Sequence, residues 1–202
     1  MKKPAFLILT LAIPVSIFLF LKIFGTNTFE VPFLFEDGIP ECANSMSPHR
    51  VPNITFLDDH EKSTQLNEIQ GYVVFGVLHH KDPKRIEEQL VELVRIQDAF
   101  FEIGSPYFIL FTEGDSSDLM DLRVRCDAAG LGGANSCIAV MEKQDLDPFL
   151  RCGIALKNRR DDQLNNLVLV DPQKRIRGVY HGLDVEETDK LILELKILKK
   201  GV

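Results

Sequence analysis

His79 and His80 are adjacent and follow directly on an unbroken apolar run, Tyr72 to Leu78, with Asp82-Pro83 just beyond them. Asp before Pro opens a helix, with Asp as the cap and Pro at the first helical position. The two imidazoles therefore stand where a buried strand meets a helix N-terminus. The positive end of a helix dipole disfavours imidazolium, and neutral imidazole is the form that ligates Cu(II) or Zn(II). Neighbouring side chains on an extended segment point opposite ways, so at most one of the pair faces the corner. Asp82 is occupied as the cap, and His49, His60 and His181 are further ligands by type only. His79 and His80 are the metal candidates. The competing reading makes them surface or packing histidines.

The cysteines Cys42, Cys126, Cys137 and Cys152 offer a second chemistry. No two stand in CxxC or CxxxC spacing, so neither a redox dithiol nor a zinc ribbon is supported. An even count in an oxidising compartment invites disulfides. Cys42 reads as a lone thiol, and a structural bridge is expected among Cys126, Cys137 and Cys152. Other constellations carry less. Gly130-Leu131-Gly132-Gly133 follows a helix and lacks the Lys-Ser/Thr ending of a phosphate loop. Glu113, Asp115 and Asp118 lack the alternation of a calcium loop. Lys157, Arg159 and Arg160 run straight into Asp161 and Asp162, as a solvated loop does.

These residues need elements to position them. Asn53 to Leu57 reads as a strand, and Tyr72 to Leu78 as one buried on both faces. After Asp82, the apolar positions Ile86, Leu90, Leu93, Val94 and Phe101 recur at helical spacing, so one stripe packs on a sheet. Tyr107 to Thr112 is a second buried strand, and Ser117 to Ala129 a second helix ending at Gly130. A short strand near Cys137 to Met141 and a short helix from Asp147 to Leu156 come next. Leu167 to Val170 and Arg175 to Tyr180 flank the turn Asp171-Pro172-Gln173-Lys174 as a hairpin. The last helix opens with Asp184 and Glu187 in capping-box spacing and buries Leu191, Leu195 and Leu198. A helical crossover requires parallel pairing, so a βαβ half followed by a hairpin and a closing helix predicts a thioredoxin-like α/β fold. Its mixed sheet carries helices on both faces.

Composition bounds the setting. Of 202 residues, 45% are apolar, enough for a packed core, and the formal charge is −7. An acidic chain lacks the cations that displace counterions from phosphate, so nucleic acid is excluded as a general partner. Ala5 to Leu21 carries no charge, and Ile23 and Phe24 extend the run past Lys22. About twenty helical residues cross a bilayer. The small-residue pattern of a signal-peptide cleavage site is poorly met at Ile23 to Thr26, which favours an uncleaved anchor over residues 1–24. Lys2 and Lys3 hold the amino end inside, which places the rest of a bacterial chain in the periplasm. Residues 25–51, with Pro32, Pro40 and Pro48, read as a tether, and residues 52–202 as the domain.

The domain resembles the SCO/SenC family, membrane-tethered thioredoxin-fold proteins of cytochrome oxidase assembly. The resemblance rests on Pro52-Asn53-Ile54-Thr55-Phe56, Gly71-Tyr72-Val73-Val74-Phe75-Gly76, Leu169-Val170-Asp171-Pro172 with Arg175-Ile176-Arg177-Gly178, and the acidic helix from Glu186. It implies a copper site made of two cysteines separated by three residues, after the first buried strand, and a histidine before the hairpin turn. The cysteines would fall at about His80 and Lys84, and the histidine at about Gln163. None of the three ligands is present. Cu(I) favours soft thiolates, and an ammonium at a ligand position repels a cation. The resemblance thus implies a single-pass inner-membrane protein with a periplasmic domain and a non-catalytic accessory role in oxidase or copper-centre biogenesis. Its partners would be the membrane and oxidase assembly proteins, and copper enters as cofactor by resemblance only. The alternatives are a metal-binding protein using His79 or His80, and a thiol-disulfide protein with displaced cysteines.

Overall fold

The computed structural model describes residues 12–20, 22, 31–40, 42, 47–57, 62–78, 82–112, 116–131, 136–140, 143–156 and 165–200. Residues 12–20 form a helix (α1), with Ile13, Ile17, Phe18 and Phe20 exposed. Among the described residues, no helix is long and apolar enough to cross a membrane.

Seven strands form one mixed sheet: β1 (Thr55–Leu57), β2 (Ser63–Gln65), β3 (Val73–Leu78), β4 (Tyr107–Thr112), β5 (Ser136–Val140), β6 (Asn166–Val170) and β7 (Ile176–His181). Their order is β2-β1-β5-β4-β3-β6-β7. β3, β4 and β5 run parallel, because α2 (Pro83–Ala99) and α3 (Ser116–Ala129) carry the chain back between them. β6 then turns antiparallel to β3, and β7 to β6, as the expected hairpin. α4 (Lys143–Pro148) continues into a π-helical turn (Phe149–Gly153), and α5 (Val185–Lys200) closes the fold. The single short helix expected from Asp147 to Leu156 is thus two consecutive pieces that begin at Lys143 and end at Gly153. The edge hairpin of β1 and β2 had only its first strand in the pattern, since Ser63-Thr64-Gln65 has no apolar alternation to signal it.

A side-chain period of two divides the buried strands between two cores. Val73, Phe75 and Val77 face one, and Val74 and Leu78 the other. The second core is covered by α2, α3 and α5 through Ile86, Leu90, Leu93, Leu122, Leu191 and Leu195. Phe101 does not join the α2 stripe. The helix ends at Ala99, and Phe101 stands in the following turn, 86% exposed.

The first core is covered by the segment expected to be a tether. Ile39 and Val51 are buried in it, and Val31 and His49 are buried beside the sheet. The Leu34 amide donates to the Ile176 carbonyl at 2.7 Å, and the Val51 amide to Lys174 at 2.8 Å. The Arg177 guanidinium donates to the Val31 carbonyl. The folded unit therefore includes residues 31–40 and 47–51, ahead of the Pro52 boundary expected from the sequence. These residues lack any period because they follow the contour of a finished surface instead of forming an element.

The disulfide also differs from the expectation. Cys42 pairs with Cys152, on the π-helical turn, while Cys126 is a buried thiol in the α3 core. Cys42 is therefore no lone thiol, and the bridge does not lie within the set Cys126, Cys137 and Cys152. Once residues 31–40 and 47–51 pack on the sheet, Cys42 is brought against the π-helical turn that carries Cys152.

Candidate functional site

β3 and β4 end in register at Leu78 and Thr112, and the chain leaves β3 there for the N-terminus of α2. This is the corner that the sequence singled out. The Asp82 side chain accepts from the Arg85 amide at 3.3 Å, and Pro83 opens the helix, so the cap forms as read. Arg85 Nε also lies 3.2 Å from the Asp82 carboxylate. That carboxylate is thus held by its own helix and is no ready metal ligand.

Lys84, at the place of the second expected cysteine, has its side chain 85% exposed, with Nζ 3.6 Å from Glu88. Its ammonium lies in the first turn of α2, where it adds to the positive helix end instead of offsetting it. His79, His80, His60 and Gln163 lie outside the described residues. Among the described residues, no group of three His, Cys, Asp or Glu side chains could hold a metal ion. Beneath the corner, Gln89 on α2 and Thr112 are buried, and among the described residues neither Gln89 Nε2 nor Thr112 Oγ1 has a hydrogen-bond partner. Neither atom is a soft donor. By sequence, the corner offers imidazole, ammonium, carboxylate and amide where Cu(I) asks for thiolate, so its residues do not fit that ion.

The remaining histidines have other surroundings. His49 is buried with its Nε2 2.8 Å from the Gly153 carbonyl, and its ring meets the edge of Phe35. A carbonyl only accepts, so Nε2 carries the proton and donates. His49 is thus a packing residue beside the disulfide. His181 ends β7, opposite Asn166, two strands away from β3. The structure does not bring these two histidines together.

One polar cluster had no place in the sequence reading. Asp171, 1% exposed, accepts from the Arg175 amide at 2.9 Å, Arg175 Nε at 2.8 Å and Arg177 Nε at 2.9 Å. The two guanidiniums also lie over the Phe33 ring, 4.9 and 5.8 Å from its centroid. Arg175, just before β7, and Arg177 within it flank Ile176 and reach the same carboxylate, and their i, i+2 spacing is a signal present in the sequence. Nothing marked Phe33 as their partner. The cluster lies at the opposite end of β3 from the corner and fastens the leading segment.

Further pKa shifts lie away from the corner. Burial raises the Tyr72 hydroxyl, and the guanidiniums of Arg177 and Arg175 partly offset this. Burial likewise lowers the Lys174 and Lys199 ammonium groups.

No protein-family model and no curated protein matches the chain. Solved structures do. BsSco, a member of the Sco family of cytochrome c oxidase assembly proteins, is similar at 13% identity and a TM-score of 0.63, over 75% of this chain and 94% of that one. An SCO1/SenC family lipoprotein from Bacillus anthracis is similar at 11% identity and 0.62, over 73% and 93%. Copper-bound ScoI from Arabidopsis thaliana is similar at 10% identity and 0.54, over 72% and 97%. The fold of this chain is thioredoxin-like, and its structural neighbours include SCO/SenC-family proteins at low sequence identity.

Proposed function

We propose that this chain is a membrane-anchored, periplasm-facing protein that serves cytochrome oxidase or copper-centre biogenesis as a non-catalytic accessory. The observation that carries this reading is the corner itself. A fold shared with oxidase assembly proteins has His80 and an exposed Lys84 where thiolates would be needed. Cys42 and Cys152 are joined far from that corner in sequence, which leaves no vicinal pair for thiol exchange. The apolar run to Phe24 and the lipoprotein among the neighbours support membrane attachment.

Anaerobic titration of the purified full chain with Cu(I) against a colorimetric chelator tests the copper half. No copper should be retained, and stoichiometric retention would overturn the reading. Cu(II) or Zn(II) held through dialysis and lost in His79→Ala with His80→Ala would move the chain to the metal-binding alternative. Deletion in the source bacterium tests the role: assembled oxidase should fall while the transcript persists.

A further inference from the structure

The leading segment, the α2–β4 turn and the end of α5 meet at one end of the sheet, the end away from the corner. The Arg177 guanidinium holds the Val31 carbonyl there. The Tyr72 hydroxyl donates to the Leu198 carbonyl at 3.0 Å, and Lys199 Nζ donates to the Gly104 carbonyl. Two large apolar side chains stand out in the turn between α2 and β4: Phe101, 86% exposed, and Ile103, 52% exposed. Beside them are the cations of the last turns of α5. Lys196 and Lys199 lie 5.9 and 5.3 Å from the Phe100 ring, and Lys200 is exposed. Glu102 lies within the turn and Asp98 near the end of α2, both exposed. An aromatic and an aliphatic tip flanked by lysines, on a chain of charge −7, is the pattern of a surface that rests at an anionic lipid interface.

Chain length points the same way. Between the apolar run ending at Phe24 and the fastened Val31 lie only the six residues 25–30, seven Cα steps that reach at most ~25 Å. α2, with 17 residues, spans about 25 Å from the corner to this end. The leash at full stretch is therefore no longer than α2, and it is attached at the end that carries Phe101 and Ile103.

We infer that this end of the domain docks on the anionic bilayer surface through Phe101, Ile103 and the lysines of α5. The α2 N-terminal corner then points away from the membrane, toward whatever partner the domain meets. This rests on the anchor in the proposed function.

The chain contains no tryptophan, so Phe101→Trp and Lys84→Trp each give a single fluorophore at an exposed position at opposite ends. The full-length variants are placed in nanodiscs containing brominated lipid, either neutral phosphatidylcholine or a mixture with phosphatidylglycerol. Alkaline carbonate extraction of parallel vesicles reports on the anchor. The expected result is a blue-shifted Phe101→Trp signal quenched at least about threefold more than Lys84→Trp, and more strongly with the anionic lipid. Retention after carbonate with equal quenching at both positions overturns the docking and leaves the anchor standing. Equal quenching of Phe101→Trp in neutral and anionic discs overturns the assignment to an anionic surface. A blue shift that follows protein concentration without lipid quenching places a second copy on this face and also overturns the docking. Release by carbonate overturns both readings.

Discussion

Cys42 and Cys152 stand 110 positions apart in the chain and share a disulfide, with their Cα atoms 5.8 Å apart. Next to Cys152, the Gly153 carbonyl accepts a hydrogen bond from His49. The leading segment is thus tied to the π-helical turn at two points, one covalent and one polar.

Because a cross-link removes loop entropy from the unfolded chain, replacing both Cys42 and Cys152 by serine should cost about 2–4 kcal/mol. Urea unfolding followed by circular dichroism measures this. An unchanged midpoint would show that the bridge constrains nothing.

Asp171 presents a harder loss. Its carboxylate is buried against Arg175 and Arg177, whose side chains are 25% and 14% exposed. Asp171→Asn leaves two poorly solvated cations without their counter-charge and should destabilise by about 3 kcal/mol. The same change loosens Arg177 from Val31, so residues 31–35 should become the first site of limited proteolysis. Resistance equal to the parent chain would contradict that coupling.

Tyr180 governs an alkaline effect. Burial, followed by its hydrogen bond to Glu194 and the charges of Glu194 and Glu187, holds the phenol well above its ordinary value of 10.0. The folded state therefore keeps its proton where the unfolded state releases it. The stability this contributes is complete below about pH 10 and declines as pH rises above it. Lys174 and Lys199, both lowered by burial, act in the opposite sense over that range. The difference in unfolding free energy between the parent and Tyr180→Phe isolates the phenol: it should shrink steadily above pH 10. A difference independent of pH would refute the assignment.

Two glycines are set by close approach. A Cβ at Gly182 would lie 2.6 Å from the Asn165 carbonyl oxygen, a backbone atom that cannot step aside. At Gly178 it would lie 2.1 Å from the Tyr180 hydroxyl, which would have to leave Glu194. Each alanine substitution should cost about 1–3 kcal/mol. Only Gly178→Ala should also abolish the pH dependence ascribed to Tyr180, and retention of that dependence would separate the two effects.

The parallel core was legible because its signals are local. Val73 to Leu78 and Tyr107 to Thr112 are continuous apolar runs, and Asp82-Pro83 and Gly130 punctuate the helices between them. The positive φ of Gly130 ends α3 as its place in the chain predicted. Phe101 misled because helical spacing persists in the letters for two residues after the backbone has left the helix. Val31, Leu34 and Val51 were unreadable for a different reason: their places are set by Arg177, Ile176 and Lys174, more than a hundred positions away.

From its residues alone the chain determines the order of its central strands and helices, the capped corner after β3, and the absence of sulfur at His80 and Lys84. Each of these depends on neighbours within a few positions. Tertiary structure decided which cysteine meets Cys152, that Val31, Ile39 and Val51 belong to the folded body, and that Phe101 and Ile103 share an end with the lysines of α5. Such pairings follow from which surfaces remain uncovered after the sheet has formed, and no local spacing records that.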